Sequence, residues 1–312
     1  MLFSKSLQRV ALLFVAAIGV LYGSDVTAAE KIRVLIVDGQ NNHDFERTTP
    51  YLKSVLEKTG RFTVAVVTTP PKGRNDAAAW KGFRPQFNDY DVVLSNYNGE
   101  TWPEHARLAF EDFVKNGGGV VNVHAANNPF PDWPAFNEMI GLAWRNADFG
   151  ERVSLDESQK LVRTAAGEGP NAGHGRQHAY AVVTRDTSHP VMKGFPAEWM
   201  HPQDELYHGQ RGPALNMSLL ATAFSDPGTG GTGAHEPMVW WIPYGKGKVF
   251  TTLLGHVGRG QDPASWPMRD NGFQAMVVRA CEWVATGEVT SHCQKGCRQQ
   301  KLWDSLPLCT NR

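Results

Sequence analysis

Residues 32–44 read IRVLIVDGQNNHD, a near-continuous apolar run followed at once by a polar turn. A run that is apolar at both parities marks a strand buried on both faces, the habit of a parallel sheet. The pattern returns at residues 62–67 (FTVAVV), 91–96 (DVVLSN) and 119–124 (GVVNVH). Each run starts about thirty residues after the one before, the length of a strand-helix-strand unit. Between the first two, Thr49 and Pro50 are expected to open a helix with Tyr51, Leu52, Val55 and Leu56 on one face and Gly60 as its stop. The next crossover holds Pro70, Pro71 and Gly73 and reads mostly as loop. Pro103 begins a further helix expected to carry Leu108, Phe113 and Val114 inward, with Gly117, Gly118 and Gly119 ending it. Right-handed crossovers place helices on both faces. The expectation is an α/β fold: an open, doubly wound, mostly parallel sheet of the flavodoxin-like type.

Outward from this core the chain is less regular. Residues 130–213 are rich in Trp, Gly and Pro and read as long loops around a site plus a few strands, not as a separate domain. Strand patterns resume at residues 219–224, 238–242 and 249–254, the last two joined by a turn containing Gly245 and Gly247. Phe273, Met276, Val277, Ala280 and Val284 share one side of a closing helix. At the other end, Lys5 and Arg9 precede an apolar run from Val10 to Leu21 and then the small residues Thr27, Ala28 and Ala29. That order reads as a secretory signal over residues 1–29, with an uncleaved anchor as the alternative. The expected organisation is therefore a signal (1–29), one domain (30–286) and a Cys-containing tail (287–312), and the expected location is periplasmic or extracellular. Cys281, Cys293, Cys297 and Cys309 make an even total suited to one or two disulfides, with three pairings open. A four-Cys zinc site is the alternative, but only Cys293 and Cys297 have knuckle spacing.

The 312 residues carry 31 Lys and Arg against 31 Asp and Glu and are 41% hydrophobic. This excludes a disordered or fibrous chain and leaves no basic footprint for nucleic acid or an anionic membrane. A small or neutral partner is expected, with no membrane association after signal cleavage and homo-oligomerisation left open.

In open α/β sheets ligands sit outside the carboxyl ends of the strands. Strand one leads into Asn42, His43 and Asp44, strand three into Asn96 and Trp102, strand four into His124 and Asn127, and the last strand into His256. Three histidines thus converge on one rim from distant parts of the sequence. Each alone reads equally well as a turn-stabilising hydrogen bond; three on one edge favour a site. His124 stands where elbow-type enzymes display a nucleophile, and an imidazole there suits proton transfer, hydrogen bonding to a hydroxyl, or metal ligation.

Asn42 with His43, the glycine run leading to His124, HPVMKG (189–194), DELY (204–207) and GKGKVFTTLLGH (245–256) together resemble the ThuA-like, or trehalose-utilisation, family. The resemblance spans about residues 31–286. It implies a fold similar to class I glutamine amidotransferases with the elbow cysteine missing, His124 taking its place. Glutaminase activity is not expected, since no thiolate is available to attack the amide. It also implies processing of disaccharides or their 3-keto derivatives by a hydrolase or lyase. Of the adjacent Asp204 and Glu205, one is expected to enter the site, because neighbouring strand residues point to opposite faces, and Glu205 is favoured. Tyr207 would share its face. Apolar sugar faces pack on aromatics, for which Trp102, Trp133, Trp144, Trp240, Trp241 and Trp266 are candidates and Trp102 and Trp241 are selected; His235 and Arg259 lie in Gly-rich segments on the expected rim.

The catalytic expectation is His124, Glu205, His256 and His43 in acid/base chemistry on a small-molecule carbohydrate. The rivals are a non-catalytic carbohydrate-binding protein and a metal-dependent hydrolase. In the latter, His43, His124 and His256 with Glu205 or Asp44 would hold zinc or manganese. His174 and His178 are four apart but flanked by glycine, and read as exposed loop.

Overall fold

A computed structural model describes residues 30–73 and 77–291, so the signal and nearly all of the tail, with Cys293, Cys297 and Cys309, lie outside the described residues. The first half contains β1 (Ile32–Asp38), α1 (Phe45–Glu57), β2 (Phe62–Thr68), α2 (Ala77–Gly82), β3 (Val92–Ser95), α3 (Glu104–Lys115), β4 (Gly119–Val123) and α4 (Pro134–Ile140). The second half adds β5 (Glu151–Leu155), β6 (Leu161–Thr164), β7 (Gly173–His174), β8 (His178–Thr184), β9 (Glu198–Asp204), β10 (Tyr207–His208) and β11 (Arg211–Gly212). It ends with β12 (Ser218–Phe224), β13 (His235–Tyr244), β14 (Gly247–Thr252) and α5 (Asn271–Thr286).

The main sheet runs β2-β1-β3-β4-β14-β13-β12-β8-β9. Its first five strands pair in parallel, and the remainder extend the sheet antiparallel. Side chains alternate between two buried faces: Val34 and Ile36 enter one core with Leu52 and Phe273, while Leu35 and Val37 enter the other with Phe110 and Phe136. Helices α1 and α5 cover the first face and α3 and α4 the second, which makes the sheet doubly wound. The order 2-1-3 reverses direction between β1 and β3, so a crevice opens at their carboxyl ends. The irregular middle of the chain supplies β8 and β9 to this same sheet. Among the described residues no helix is long and apolar enough to cross a membrane.

Local departures from the sequence reading have physical reasons. Helix α1 starts at Phe45, not Thr49, and Pro50 sits inside it. The missing N–H of Pro50 frees the Glu46 carbonyl on an exposed face, where water can take its place. Leu108 is 53% exposed because α3 buries the stripe Ala106, Phe110, Phe113 and Val114, and Leu108 falls on the far side of the helix. Cys281 is a free, buried thiol on α5.

Trp102 does not line a ligand site. Its ring lies inside the second core, 5.3 Å from Phe130, 5.6 Å from Phe83 and 5.7 Å from Phe110 by centroids. Truncation to alanine removes a large buried ring, and Trp102→Ala is expected to lower stability by about 3–5 kcal/mol in urea unfolding. Ligand affinity per folded molecule should stay unchanged, as calorimetry would show.

Candidate functional site

Four carboxyl-terminal strand ends meet at the crevice. The segment after β1 brings His43, the end of β3 brings Asn96, the end of β4 brings His124, and the end of β14 brings His256. Ring centroids lie 4.7 Å apart for His43 and His124, 4.9 Å for His43 and His256, and 5.4 Å for His124 and His256. His124 opens a short 3₁₀ turn, residues 124–127, with φ of +50°. A non-glycine residue in the left-handed region is uncommon and stores strain, and strained positions cluster at functional sites. Its Nδ1 donates to the Leu253 carbonyl at 2.8 Å, and its Nε2 is buried without a hydrogen-bond partner. His43 likewise donates from Nδ1 to the Asn41 side-chain oxygen at 3.0 Å. Asn96 braces the crevice by donating to the Thr48 and Thr49 hydroxyls.

The adjacent carboxylates separate, Asp204 ending β9 and Glu205 lying in the short segment before β10. Asp204, fully buried at the end of β9, accepts from His201 Nε2 at 2.7 Å, the Gly255 amide at 2.7 Å, the His256 amide at 3.0 Å and the Glu205 amide at 2.7 Å. Glu205 turns the other way into the histidines. Its carboxylate oxygens lie 3.2 Å from His256 Nε2, 3.5 Å from His174 Nε2 and 3.8 Å from His124 Nε2.

His174 is a site residue that the sequence reading assigned to exposed loop. Strand β7 pairs with β10, setting His174 opposite Tyr207, and the two rings stack at 6.2 Å. Tyr207 also packs 4.6 Å from His124 and 4.7 Å from Trp144. Gln177 donates to Glu205 at 3.3 Å and faces His256 Nδ1 at 3.3 Å. No local signal marks His174 or Gln177; only the pairing of two-residue strands some thirty positions apart brings the first to the site, whereas Trp144 was among the aromatic candidates.

Other selected residues lie elsewhere. Trp241 packs 4.9 Å from Trp283 of α5, because alternation along β13 turns it to that core. His235, at the start of β13, meets Arg185 and Thr222. Asn127 is fully buried and donates to Leu142 and Gln210. Asn42 accepts from Asn98 at the exposed rim, and the exposed Arg259 reaches back to the Asn41 carbonyl. Asp44 accepts from Arg47 instead of facing the histidines. In the HPVMKG segment, His189 packs 4.4 Å from Trp283, and Arg279 donates to the Pro190 and Lys193 carbonyls, so this motif docks α5.

Burial, reinforced by His124, His256 and His174, pushes the His43 pKa down to about 2. Burial also lowers that of His124, against the opposing pull of Asp204. Both rings are therefore neutral at physiological pH, with Nδ1 protonated and Nε2 free as base or ligand. His43, Glu205 and His256 offer one ligand atom each, all within 4.8 Å of one another, a set able to hold a metal ion. The arrangement can move protons, hydrogen-bond hydroxyls or polarise an oxygen.

Sheet and site together define an α/β protein with a histidine-carboxylate cluster at the carboxyl ends of its parallel strands. Residues 33–284 match the model of the trehalose-utilisation family, ThuA, and the chain belongs to that family. It is 42% identical to a putative ThuA-like protein from Parabacteroides merdae, covering 85% of this chain and 94% of that one with a TM-score of 0.79. A putative ThuA-like protein from Bacteroides uniformis is 18% identical, with 86% and 98% covered and a TM-score of 0.55, which shows a common fold. No curated protein matches the sequence significantly.

Two sets of buried groups oppose each other in pH. Burial works against a charged His201, but its hydrogen bond to Asp204 and the Asp270 carboxylate 3.6 Å away prevail and raise its pKa to about 9. The unfolded chain loses this proton near pH 6.5 and the folded one near 9, so stability falls as pH rises between them, by about 3 kcal/mol in all. His43, at about 2, and His189, pushed by burial to about 4, act oppositely. Below pH 6.5 the unfolded state takes up their protons and the folded state does not, so stability also falls on acidification. Urea midpoints from pH 5 to 9.5 should peak near pH 6.5, and His201→Gln should flatten the alkaline side.

Proposed function

We propose that this protein is an exported carbohydrate-processing enzyme acting on a disaccharide or 3-keto-disaccharide by histidine and glutamate acid/base chemistry. The observation that carries the reading is the neutral, buried His124 Nε2 beside the Glu205 carboxylate, at the position of an elbow nucleophile. Family membership supports the substrate class, and the leader-like first 29 residues support export.

On a keto-sugar the carbonyl acidifies the neighbouring C–H. His124 Nε2 takes that proton, and the C–H electron pair forms a double bond to the anomeric carbon as the glycosidic C–O bond breaks. Glu205 stabilises the resulting imidazolium, and His256 is placed to protonate the departing oxygen. Water adding across the double bond then completes a net hydrolysis. The half-buried Trp144, braced by Tyr207, is the aromatic surface at this centre on which a sugar face can rest.

With 3-keto-trehalose as substrate and products followed by mass spectrometry, His124→Ala should lower kcat by about 10²- to 10⁴-fold. Trp144→Ala should raise KM and spare kcat. Because burial holds the His124 pKa low, kcat/KM should persist below pH 6.5, where an ordinary imidazole base is protonated. Intact sugar bound without turnover would instead make this a binding protein, and unchanged turnover in His124→Ala would overturn the assignment.

A further inference from the structure

We propose that His43, His256 and Glu205 bind one divalent cation of the zinc class, with His124 Nε2 facing the remaining position. Two imidazoles and a carboxylate are a set that catalytic zinc takes, leaving a place for water or substrate. Bonds of about 2.0–2.1 Å at a tetrahedral angle put ligand atoms about 3.3 Å apart. His256 Nε2 and a Glu205 oxygen are 3.2 Å apart, and one atom from each of the three residues lies within 4.8 Å of the others.

The charge pattern points the same way. The Glu205 side chain is only 11% exposed, and among the described residues its ion-pair neighbours are histidines, with no Lys or Arg. The protonated imidazole nearby, His201, is bonded to Asp204 instead. Buried charges are ordinarily paired or bound to a metal, and here a cation supplies what no side chain does.

The surroundings are built as metal sites are. His43 Nδ1 donates to Asn41, which fixes the ring with Nε2 inward. Asp204 pins the backbone amides of both Glu205 and His256. Gln177 Nε2 bridges the Glu205 carboxylate and His256 Nδ1, each at 3.3 Å, and so helps hold both groups in place. His124 Nε2, buried and unpartnered, provides an independent sign that something belongs between these groups. With the cation in place, His43, His256 and Glu205 serve as its ligands, His256 no longer acts as the proton donor assigned above, and His124 is left to carry the proton. This inference rests on ligand geometry and does not depend on the sugar.

The test strips the purified full chain with chelator, reloads it with zinc, cobalt or magnesium, desalts it, and measures retained metal by elemental analysis. One zinc or one cobalt per chain is expected, cobalt showing the visible absorption of a low-coordinate centre, and magnesium should not be retained. Asn41→Ala should weaken zinc binding about 10- to 100-fold. The double variant His43→Ala/His256→Ala should lose retention, whereas His124→Ala and the control variant His178→Ala, at the start of β8, should keep it. Substoichiometric retention by the parent chain overturns the proposal. So does full retention by the double variant with native circular dichroism. Zinc retention without sugar turnover upholds this site and overturns the reaction above; turnover by a chain that retains no zinc does the reverse.

Discussion

The Asp204 carboxylate is the constraint on which the site depends. It sits at zero exposure yet keeps its charge: burial would raise its pKa, but hydrogen bonds from His201 and Gly255 outweigh that and hold it low. A buried carboxylate that accepts four hydrogen bonds, one from a protonated imidazole, is compensated enough to be tolerated. Those bonds tie together two places far apart in sequence, residues 201–205 and 255–256. His201 also lies 3.6 Å from Asp270, which caps α5 by accepting from the Phe273 amide. A single polar chain therefore runs from the helix that closes the sheet, through Asp270, His201 and Asp204, to the backbone of Glu205 and His256.

The sheet does the rest of the positioning. The β1/β3 reversal opens the crevice, the end of β4 forces His124 into a left-handed backbone conformation, and the Leu253 carbonyl selects its tautomer. Burial together with neighbouring imidazoles lowers the pKa of His43 and of His124, so these two rings present lone pairs to a ligand instead of positive charge.

Much of this was legible in the sequence because parallel strands announce themselves by continuous apolar runs, and their carboxyl ends fall at countable positions. His43, His124 and His256 followed from that count. Glu205 also enters the site as expected, though β9 ends at Asp204 and the turn that follows, not strand alternation, aims it there. The reading failed where contact depends on distant pairing or on the phase of a helix. His174 reaches Glu205 only because β7 pairs with β10. Trp102 and Trp241 follow or lie within strands, yet the deeper aromatic cores take them. Leu108 was misplaced by an error of two residues in helical phase.

The ribbon formed by β7 and β10 has a consequence of its own. It pairs only two residues on each side and stands apart from the large sheet. So short a pairing is marginal on its own, and opening it costs far less than unfolding the domain. The centre is thus made of two parts, a floor of strand ends bearing His43, His124 and His256 and a separate two-strand wall whose β7 half carries the more exposed His174 and whose β10 half is buried. Sequence drift in the wall can retune which molecules are admitted while leaving the floor untouched.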